Sequence, residues 1–247
     1  MKKKTIGIKI SSNIITNGNG KVHDEFILEI CRQAVQLLRD GNNVFIVTSG
    51  AVASNQHKKR SKNLRSAVGQ PIIMHRYVEF FSKYGVEAAQ MLFVDKHLLG
   101  KEKIIPKRLL LEAFKEKVIP IINANDAVDD GELKALEYCA DNDRLFKAVC
   151  DLISVDIVVI GFSEKGLLDN KGNVIHEVKE NDREKILSYA KGGSKLGHGT
   201  EGMKTKLSVL CELAKKGMQV TLAPGKERDF ILRAVAREKN FGTKFVL

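Results

Sequence analysis

Residues 118–130 read VIPIINANDAVDD and join an apolar run directly to a polar loop. The run at 118–122 carries no polar side chain, which is typical of a strand covered on both faces. Other short runs predicted to be strands occupy residues 5–10, 44–48, 89–94, 156–160 and 218–223. Amphipathic stretches separate these runs, so the sequence predicts an α/β fold with a mainly parallel sheet covered by helices on both sides.

The predicted helices are stretches in which apolar side chains recur every three or four residues. In residues 22–40 these side chains form one continuous face, and Gly41 is positioned to end that helix. We predict further helices at residues 64–84, 107–117, 142–152, 183–190, 203–216 and 226–238. A turn rich in Asn, Asp and Gly predicts a hairpin at residues 168–175, and residues 191–202 are predicted to form a Gly-rich loop.

The composition is that of a soluble globular protein. A chain of 247 residues, 43% of them hydrophobic and 29% charged, is expected to fold as one large α/β domain or two small ones. No apolar run reaches the ~18 residues needed to span a bilayer, and the Lys-rich start lacks the apolar segment of a signal peptide. We therefore expect a cytoplasmic protein without a membrane partner. The cysteines and histidines show no metal-ligand spacing, so we expect reduced core thiols and no metal site made by the protein.

The formal net charge of +11 is compatible with nucleic acid, a membrane surface or small anions as partners. The basic residues are scattered, and the densest run, residues 57–62, contains no aromatic side chain. We interpret that run as a solvated loop. No helix-turn-helix, zinc-finger or RNA-recognition pattern accompanies it, so nucleic acid is not expected as a partner.

Ligands of parallel α/β sheets collect at the carboxyl ends of the strands, so the loops after the strands are the candidate sites. Lys9 and Ser11 lie at the end of the first strand and could hold a phosphate, although Lys9 also fits a generally basic N-terminus. After the second strand, Ser49, Gly50 and Ala51 form a small-residue turn. Such a turn lets a ligand approach the backbone, or is simply a tight connection to a helix.

Asparagine and aspartate cluster in two places. One cluster, residues 123–130, directly follows the apolar run at 118–122, and the other, residues 141–143, begins the helix at 142–152. These residue types are also common in turns, so each cluster alone is unremarkable. Together they predict polar groups that converge on an amine and a carboxylate. Asp126 could pair with a substrate ammonium group, while Asn123 and Asn142 could hydrogen-bond a carboxylate or carbonyl.

The Gly-rich stretch at residues 192–202 precedes a helix that carries Lys204 and Lys206. Backbone N–H groups, a helix N-terminus and a lysine together make a cradle for an anion. The stretch fits neither the Walker A spacing nor the dinucleotide-binding fingerprint. A flexible loop remains the alternative interpretation.

Seven segments, taken in order, carry a resemblance to a known family. They are KISSNIIT at 9–16, VTSGAVAS at 47–54, AVGQ at 67–70, AQMLF at 89–93, VIPIINANDAV at 118–128, ADNDRL at 140–145 and GTEGMKTKL at 199–207. In this order and spacing they resemble the amino acid kinase family and, within it, the glutamate 5-kinase branch.

The resemblance implies a three-layer αβα sandwich that transfers a phosphoryl group from ATP, with Mg²⁺, to the side-chain carboxylate of L-glutamate. The product, glutamyl 5-phosphate, is the first intermediate of proline biosynthesis. One domain would cover residues 1–247, with an acceptor-binding part at about 1–150 and a nucleotide-binding part at about 151–247, and would form a homo-oligomer, either a dimer or a tetramer. Since the chain stops at Leu247, we expect a short form without the C-terminal RNA-binding-like domain of many family members.

Site residues follow from the same resemblance, position by position. Lys9 and Lys206 match the lysines that stabilise the transferring phosphoryl group, and Asp143 matches the carboxylate that orients them. The residues expected to bind the acceptor, including neighbours in the same loops, are Ser49, Gly50, Ala51, Asn123, Asp126 and Asn142. The residues expected to bind the nucleotide are Lys9, Ser11, Phe162, Ser163, Thr200, Glu201, Gly202, Met203, Lys204, Thr205 and Lys206.

Three departures from the family pattern fall on the nucleotide side. Ser11 stands where the family usually has glycine, Phe162 and Ser163 replace a Thr-Asp pair, and Glu201 replaces another glycine. A carboxylate at Glu201 would repel a triphosphate unless it points away. These departures keep two alternatives open: an enzyme of this family with another small acceptor, such as carbamate, a nucleoside monophosphate or acetylglutamate, or a non-catalytic protein that binds nucleotide or amino acid.

Overall fold

A computed structural model describes residues 2–17, 19–55, 57, 59–128, 142–182, 184–186 and 200–247, with side chains in the last range described from Met203 onward. Ten strands lie within these ranges. They are β1 (Thr5–Ile10), β2 (Asn43–Val47), β3 (Ala88–Phe93), β4 (Ile119–Ala124), β5 (Ile157–Phe162), β6 (Leu167–Leu168), β7 (Val174–Ile175), β8 (Glu177–Lys179), β9 (Gln219–Pro224) and β10 (Thr243–Val246).

Eight of these strands form one sheet, in the order β3-β4-β2-β1-β5-β9-β10-β8. The six strands from β3 to β9 in that order are mutually parallel, whereas β10 runs antiparallel to β9 and parallel to β8. The remaining two, β6 and β7, form the predicted antiparallel hairpin. The first half of the chain thus supplies β1 to β4 on one side of the sheet, and the second half supplies β5, β8, β9 and β10 on the other.

Helices cover both faces of the sheet. They are α1 (Ser12–Ile15), α2 (Asp24–Arg39), α3 (Lys62–Ser82), α4 (Asp95–Leu98), α5 (Ile104–Lys115), α6 (Asn142–Leu152), α7 (Thr200–Lys215) and α8 (Phe230–Val235). Side chains of α1, α2, α3 and α8 form one core with strand residues such as Ile8. Side chains of α4 to α7 form a second core with strand residues such as Phe45. The prediction of a three-layer αβα fold with a mainly parallel central sheet is confirmed.

Helix α2 shows how the sequence determines one element. Its buried face includes Ile27, Ile30 and Ala34, as the apolar spacing predicts. Asp24 and Glu25 lie in its first turn, where acidic side chains interact favourably with the helix dipole. The chain leaves the helix through the predicted residue, Gly41, whose φ of 88° is readily accessible to glycine.

The structure corrects the prediction near the C-terminus. The helix predicted at 226–238 extends only over Phe230–Val235, because Asp229 and Arg237 adopt positive φ values of 57° and 53° at its two ends. Strands β8 and β10 were not predicted, since each is only three or four residues long and two residues in each are charged or polar. Of the helix predicted at 183–190, residues 184–186 are helical. Residues 191–199 of the Gly-rich loop lie outside the described residues, and residues 200–202 belong to α7 instead.

No helix in the described ranges combines the length and the apolar character needed to cross a membrane.

Candidate functional site

The six parallel strands bring the loops that follow them to one edge of the sheet. Strands β2 and β4 lie on one side of β1, and β5 and β9 lie on the other, so the chain changes direction of winding at β1. In parallel α/β sheets, ligands bind in the crevice beyond the carboxyl ends of the strands at such a switch point. The end of β1 is therefore the centre of the candidate site.

The side chain of Lys9 lies on the face of β1 that is covered by α6 and α7. Ile8 and Ile10, its neighbours along the strand, point into the opposite core, because successive side chains of a strand alternate between faces. Lys9 is only 4% exposed, and its Nζ lies 2.9 Å from Oδ1 of Asp143 in the first turn of α6.

A second lysine completes a buried triad, defined as Lys9, Asp143 and Lys206. The Nζ of Lys206, on α7, lies 2.6 Å from Oδ2 of Asp143. Each carboxylate oxygen therefore holds one ammonium group. The side chains of all three residues are at most 9% exposed. With two cations and one anion, the triad carries a net positive charge when both lysines are protonated.

The pKa values of the triad reflect this arrangement. Burial would raise the pKa of the Asp143 carboxyl group, but the positive charges of Lys9 and Lys206 outweigh burial and lower that pKa to about 2. Burial and the charge of Lys9 lower the pKa of Lys206 to about 8, although Asp143 acts in the opposite direction. Asp143 is therefore a carboxylate throughout the physiological range, while Lys206 titrates just above it.

Asn142, the first residue of α6, ties the triad to the loop after β2. Its Nδ2 donates hydrogen bonds to Ser49 Oγ at 2.7 Å and to the carbonyl oxygen of Thr48 at 3.2 Å. Gly50 follows with φ of 96°, a conformation that L side chains rarely adopt. These hydrogen bonds fix the loop after β2 beside the first turn of α6, which carries Asp143.

Helix α3 packs closely against the loop after β2. A Cβ atom at Gly69 would lie 1.8 Å from the carbonyl oxygen of Ala51, so only glycine fits at this position of the AVGQ segment. Arg65, one helical turn earlier, donates to the carbonyl oxygens of Asn55 and Val52 at 2.7 Å and 3.1 Å. Helix α3 therefore determines the shape of the loop after β2.

The predicted acceptor residue Asn123 lies at the end of β4 and is 3% exposed. Its Nδ2 donates to Gln70 Oε1 at 3.2 Å, and its Oδ1 accepts from the backbone N–H of Ala124 at 2.9 Å. Gln70 Nε2 in turn donates to the carbonyl oxygen of Ala124 at 3.1 Å. Asn123 is thus engaged in binding the end of β4 to α3, rather than directed into the crevice.

Asp126, two residues beyond the end of β4, is paired with Lys62 at the start of α3. The distance from Lys62 Nζ to Asp126 Oδ1 is 3.1 Å. Asp126 is the less exposed partner, with 17% of its side chain accessible against 62% for Lys62.

The residues predicted on the nucleotide side lie across β1 from these loops. Ser11 directs its hydroxyl group to the carbonyl oxygen of Gly161 on β5, at 2.9 Å. Phe162 and Ser163, at the end of β5, are both half-buried, and Phe162 packs against the core beneath α6 and α7. The carbonyl oxygen of Phe162 accepts from Gly225 N at 2.8 Å, which joins the loops after β5 and β9.

Helix α7 begins at Thr200, so the predicted nucleotide segment 200–206 forms its first two turns. Met203 packs against the core, Lys204 and Thr205 are half-buried, and Lys206 reaches the triad. Nothing is described for the side chains of Thr200, Glu201 and Gly202. The structure thus brings Lys9, Asn142, Asp143, Ser49 and Lys206 together, and it separates Asp126 and Ser11 to opposite sides of β1.

Sequence reasoning missed the contributions of α3. Gln70 belongs to the AVGQ segment, and a glutamine on the same helical face as Ser66, Ile73 and Tyr77 is a recognisable signal for a buried hydrogen bond. Lys62 was included in the solvated run 57–62. Most described residues of that run are indeed exposed, but Lys62 is the first residue of α3 and contacts a predicted acceptor residue.

Chemically, the site favours an anion. Two ammonium groups are held by one carboxylate in a buried position at the mouth of the crevice, where electrostatic interactions are weakly screened. Within the described part of the chain, no three His, Cys, Asp or Glu side chains are grouped so as to hold a metal ion. A phosphoryl group with its own metal ion fits such a donor set better than a metal bound only by protein.

Comparison with known proteins identifies the family of the chain. The model of the amino acid kinase family matches residues 4–223. The chain is 33% identical, over its whole length and 69% of the relative's length, to a glutamate 5-kinase of Haemophilus influenzae strain PittGG. It is 32% identical to the glutamate 5-kinase of Dehalococcoides mccartyi, over 98% of this chain and 68% of that one. Among solved structures, carbamate kinase from Giardia lamblia bound to AMP-PNP has a TM-score of 0.67 at 14% identity, with 99% of both chains covered.

Proposed function

The chain belongs to the amino acid kinase family, and from that premise we propose that it is a glutamate 5-kinase, which transfers the γ-phosphate of ATP to the side-chain carboxylate of L-glutamate. The product would be glutamyl 5-phosphate, and the reaction would be the first step of proline biosynthesis. The relatives at 32–33% identity are glutamate 5-kinases, which supports the choice of acceptor.

The observation that carries the proposal is the buried triad beside the loop held by Asn142. Phosphoryl transfer spreads negative charge over the equatorial oxygens of the phosphoryl group, and catalysis depends on positioning and on cations that meet this charge. Lys9 and Lys206 would supply two cations, and Asp143 would keep both ammonium groups oriented toward the same point. A carboxylate acceptor is already ionised at neutral pH, so the site needs no general base.

The two sides of β1 would have separate tasks. We assign the acceptor to the loops after β2 and β4, within about residues 1–150, and the nucleotide to the loops after β5 and β9 and to α7, within about residues 151–247. Ser49 and Asn142 would bind the acceptor, and Thr200–Lys206 would bind the phosphates. The Mg²⁺ that accompanies ATP would neutralise phosphate charge, with phosphate oxygens and water as its main ligands. The proposal includes a homo-oligomer, a dimer or tetramer, as the family resemblance implies.

The proposal predicts turnover of L-glutamate. With ATP and Mg²⁺, the purified chain is expected to phosphorylate L-glutamate at a rate on the order of 1–100 s⁻¹. Trapping the acyl phosphate with hydroxylamine identifies the product, while ADP release reports the rate. Carbamate, N-acetyl-L-glutamate and UMP serve as competing acceptors in the same assay. Faster turnover of any of these would refute glutamate as the acceptor, and tight MgATP binding without turnover of any acceptor would indicate a non-catalytic protein.

The titration of Lys206 predicts a pH dependence. The pKa of Lys206 is lowered to about 8, so its ammonium charge is present below pH 8 and is lost as the pH rises above it. We therefore expect kcat/KM for MgATP to decrease about tenfold per pH unit above pH 8, since this parameter reports groups of the free enzyme. Measurement between pH 6.5 and 9.5 tests this, and a constant value across that range would contradict it.

A further inference from the structure

The ion pair between Lys62 and Asp126 joins two elements that border the acceptor side of the crevice. Lys62 is the first residue of α3, and Asp126 lies just beyond β4. Their charged atoms are 3.1 Å apart, and the lysine side chain is 62% exposed. An ion pair with so exposed a partner contributes little to stability and opens readily.

The position of Lys62 is nevertheless well defined. Ser61 accepts a hydrogen bond from the backbone N–H of Leu64 at 3.2 Å and so caps the helix that begins at Lys62. Gln70, farther along α3, binds the end of β4 two residues before Asp126. Both members of the ion pair are thus attached to parts of the chain that are fixed relative to each other.

Helix stability does not account for a lysine at this position. The N-terminal end of a helix carries a partial positive charge, so a cation in the first turn is unfavourable there. The first turn of α3 contains no acidic residue that would offset it. The contact that Lys62 makes is instead with Asp126, a residue that the family resemblance implies for binding the acceptor.

We propose that Lys62 is a specificity-determining residue, which binds the α-carboxylate of the amino acid acceptor while Asp126 binds its α-ammonium group. This inference rests on the proposed function and extends it. The two acceptor groups are attached to one carbon atom and have opposite charges, which match the adjacent charges of Lys62 and Asp126. Without acceptor, the two side chains neutralise each other, and a bound amino acid replaces that one ion pair with two.

The exchange explains a preference for a free amino acid. N-acetyl-L-glutamate lacks the ammonium group, so Asp126 would lose its partner on binding it. Carbamate lacks both groups and leaves the ion pair closed. Specificity would then arise from the cost of leaving a charged group without its partner, rather than from the shape of the pocket alone.

The test compares Lys62→Met with Lys59→Met, which removes one positive charge from an exposed residue of the preceding loop. Lys62→Met is expected to raise KM for L-glutamate on the order of 10- to 100-fold with little change in kcat, because the lost interaction is made with bound substrate and transition state alike. Lys62→Arg is expected to restore most of the affinity. The inhibition constant of 4-aminobutyrate, which is glutamate without its α-carboxylate, should not increase in Lys62→Met, because this compound has no group for Lys62 to bind.

The outcomes separate this inference from the proposed function. If the natural chain phosphorylates L-glutamate and KM stays unchanged in Lys62→Met, or rises equally in Lys59→Met, Lys62 has no role in specificity while the proposed function stands. If Lys62→Met weakens the binding of 4-aminobutyrate as much as that of L-glutamate, the effect of the substitution does not involve the α-carboxylate and the inference fails. If calorimetry and turnover both show that the natural chain does not bind L-glutamate, the proposed function and this inference fail together.

Discussion

Lys206→Met is expected to lower kcat for L-glutamate by 100- to 1000-fold, which corresponds to about 3–4 kcal/mol of transition-state stabilisation. Lys206 holds one of the two buried ammonium groups of the triad, and methionine preserves most of its volume without the charge. The lost interaction is strongest with the charge of the transferring phosphoryl group, so KM for L-glutamate is expected to change little. Steady-state kinetics with saturating MgATP measure this effect.

Lys216→Met is a matched control for this variant. Lys216 follows α7 directly and pairs with Asp151 at the far end of α6, so it bridges the same two helices at a site that is 46% exposed. Lys216→Met should keep kcat within about twofold of that of the natural chain, since surface ion pairs contribute little to stability. A kcat of Lys206→Met within fivefold of that of the natural chain would exclude Lys206 from catalysis.

Lys9→Met is expected to lower kcat by a factor similar to that of Lys206→Met. The double variant should lose less transition-state stabilisation than the sum of the two single losses, because both lysines act on one phosphoryl group.

Asp143→Asn is expected to destabilise the protein on the order of 3 kcal/mol and to abolish most activity. The substitution leaves the ammonium groups of Lys9 and Lys206 buried without their shared counter-charge, which is the costly way to break a buried ion pair. Urea denaturation at pH 7 measures the loss. Asp151→Asn is the matched control, because Asp151 also contacts two lysines, Lys147 and Lys216, but at a partly exposed position on the same helix. The unfolding free energy of Asp151→Asn should be lower than that of the natural chain by less than about 1 kcal/mol.

The destabilisation of Asp143→Asn should also depend on pH. The pKa of Asp143 is lowered from 3.8 to about 2 in the folded protein, so its stabilising charge is fully present above pH 4 and is lost as the pH falls toward 2. The difference in unfolding free energy between the natural chain and the variant should therefore be largest near neutral pH and shrink below pH 4. A difference that stays constant from pH 6 to pH 3 would show that the triad charge does not stabilise the fold.

The sequence predicted the layers of the fold because the relevant signals are local. The central strands are predominantly apolar, and α6 begins and ends at the predicted residues, Asn142 and Leu152. Strands β8 and β10 escaped prediction since their stability comes from pairing with each other and with β9, not from their own composition. The sequence also predicted that Lys9 lies at the end of a strand, and in the structure Lys9 lies near the end of β1.

The contacts of the candidate site could not be predicted from local patterns. Asp143 meets two lysines that are 134 and 63 residues away in the chain, and no periodicity encodes such a meeting. The family resemblance named these residues, but it did not indicate that Asn123 is occupied by Gln70 or that Asp126 is paired with Lys62. These side chains were assigned from their chemical type alone, whereas their partners depend on how α3 packs across two loops.

The triad has a consequence for how the protein acquires its activity during synthesis. Lys9 and Asp143 emerge from the ribosome well before Lys206, and β1 stays an open edge until β5 pairs with it. Strand β5 is in turn covered by β9, which follows α7 in the chain. A nascent chain that ends before α7 thus has one lysine and one aspartate that cancel each other. The excess positive charge that attracts a phosphate appears only when α7 and the residues that follow it have docked, so incomplete chains should not compete for nucleotide.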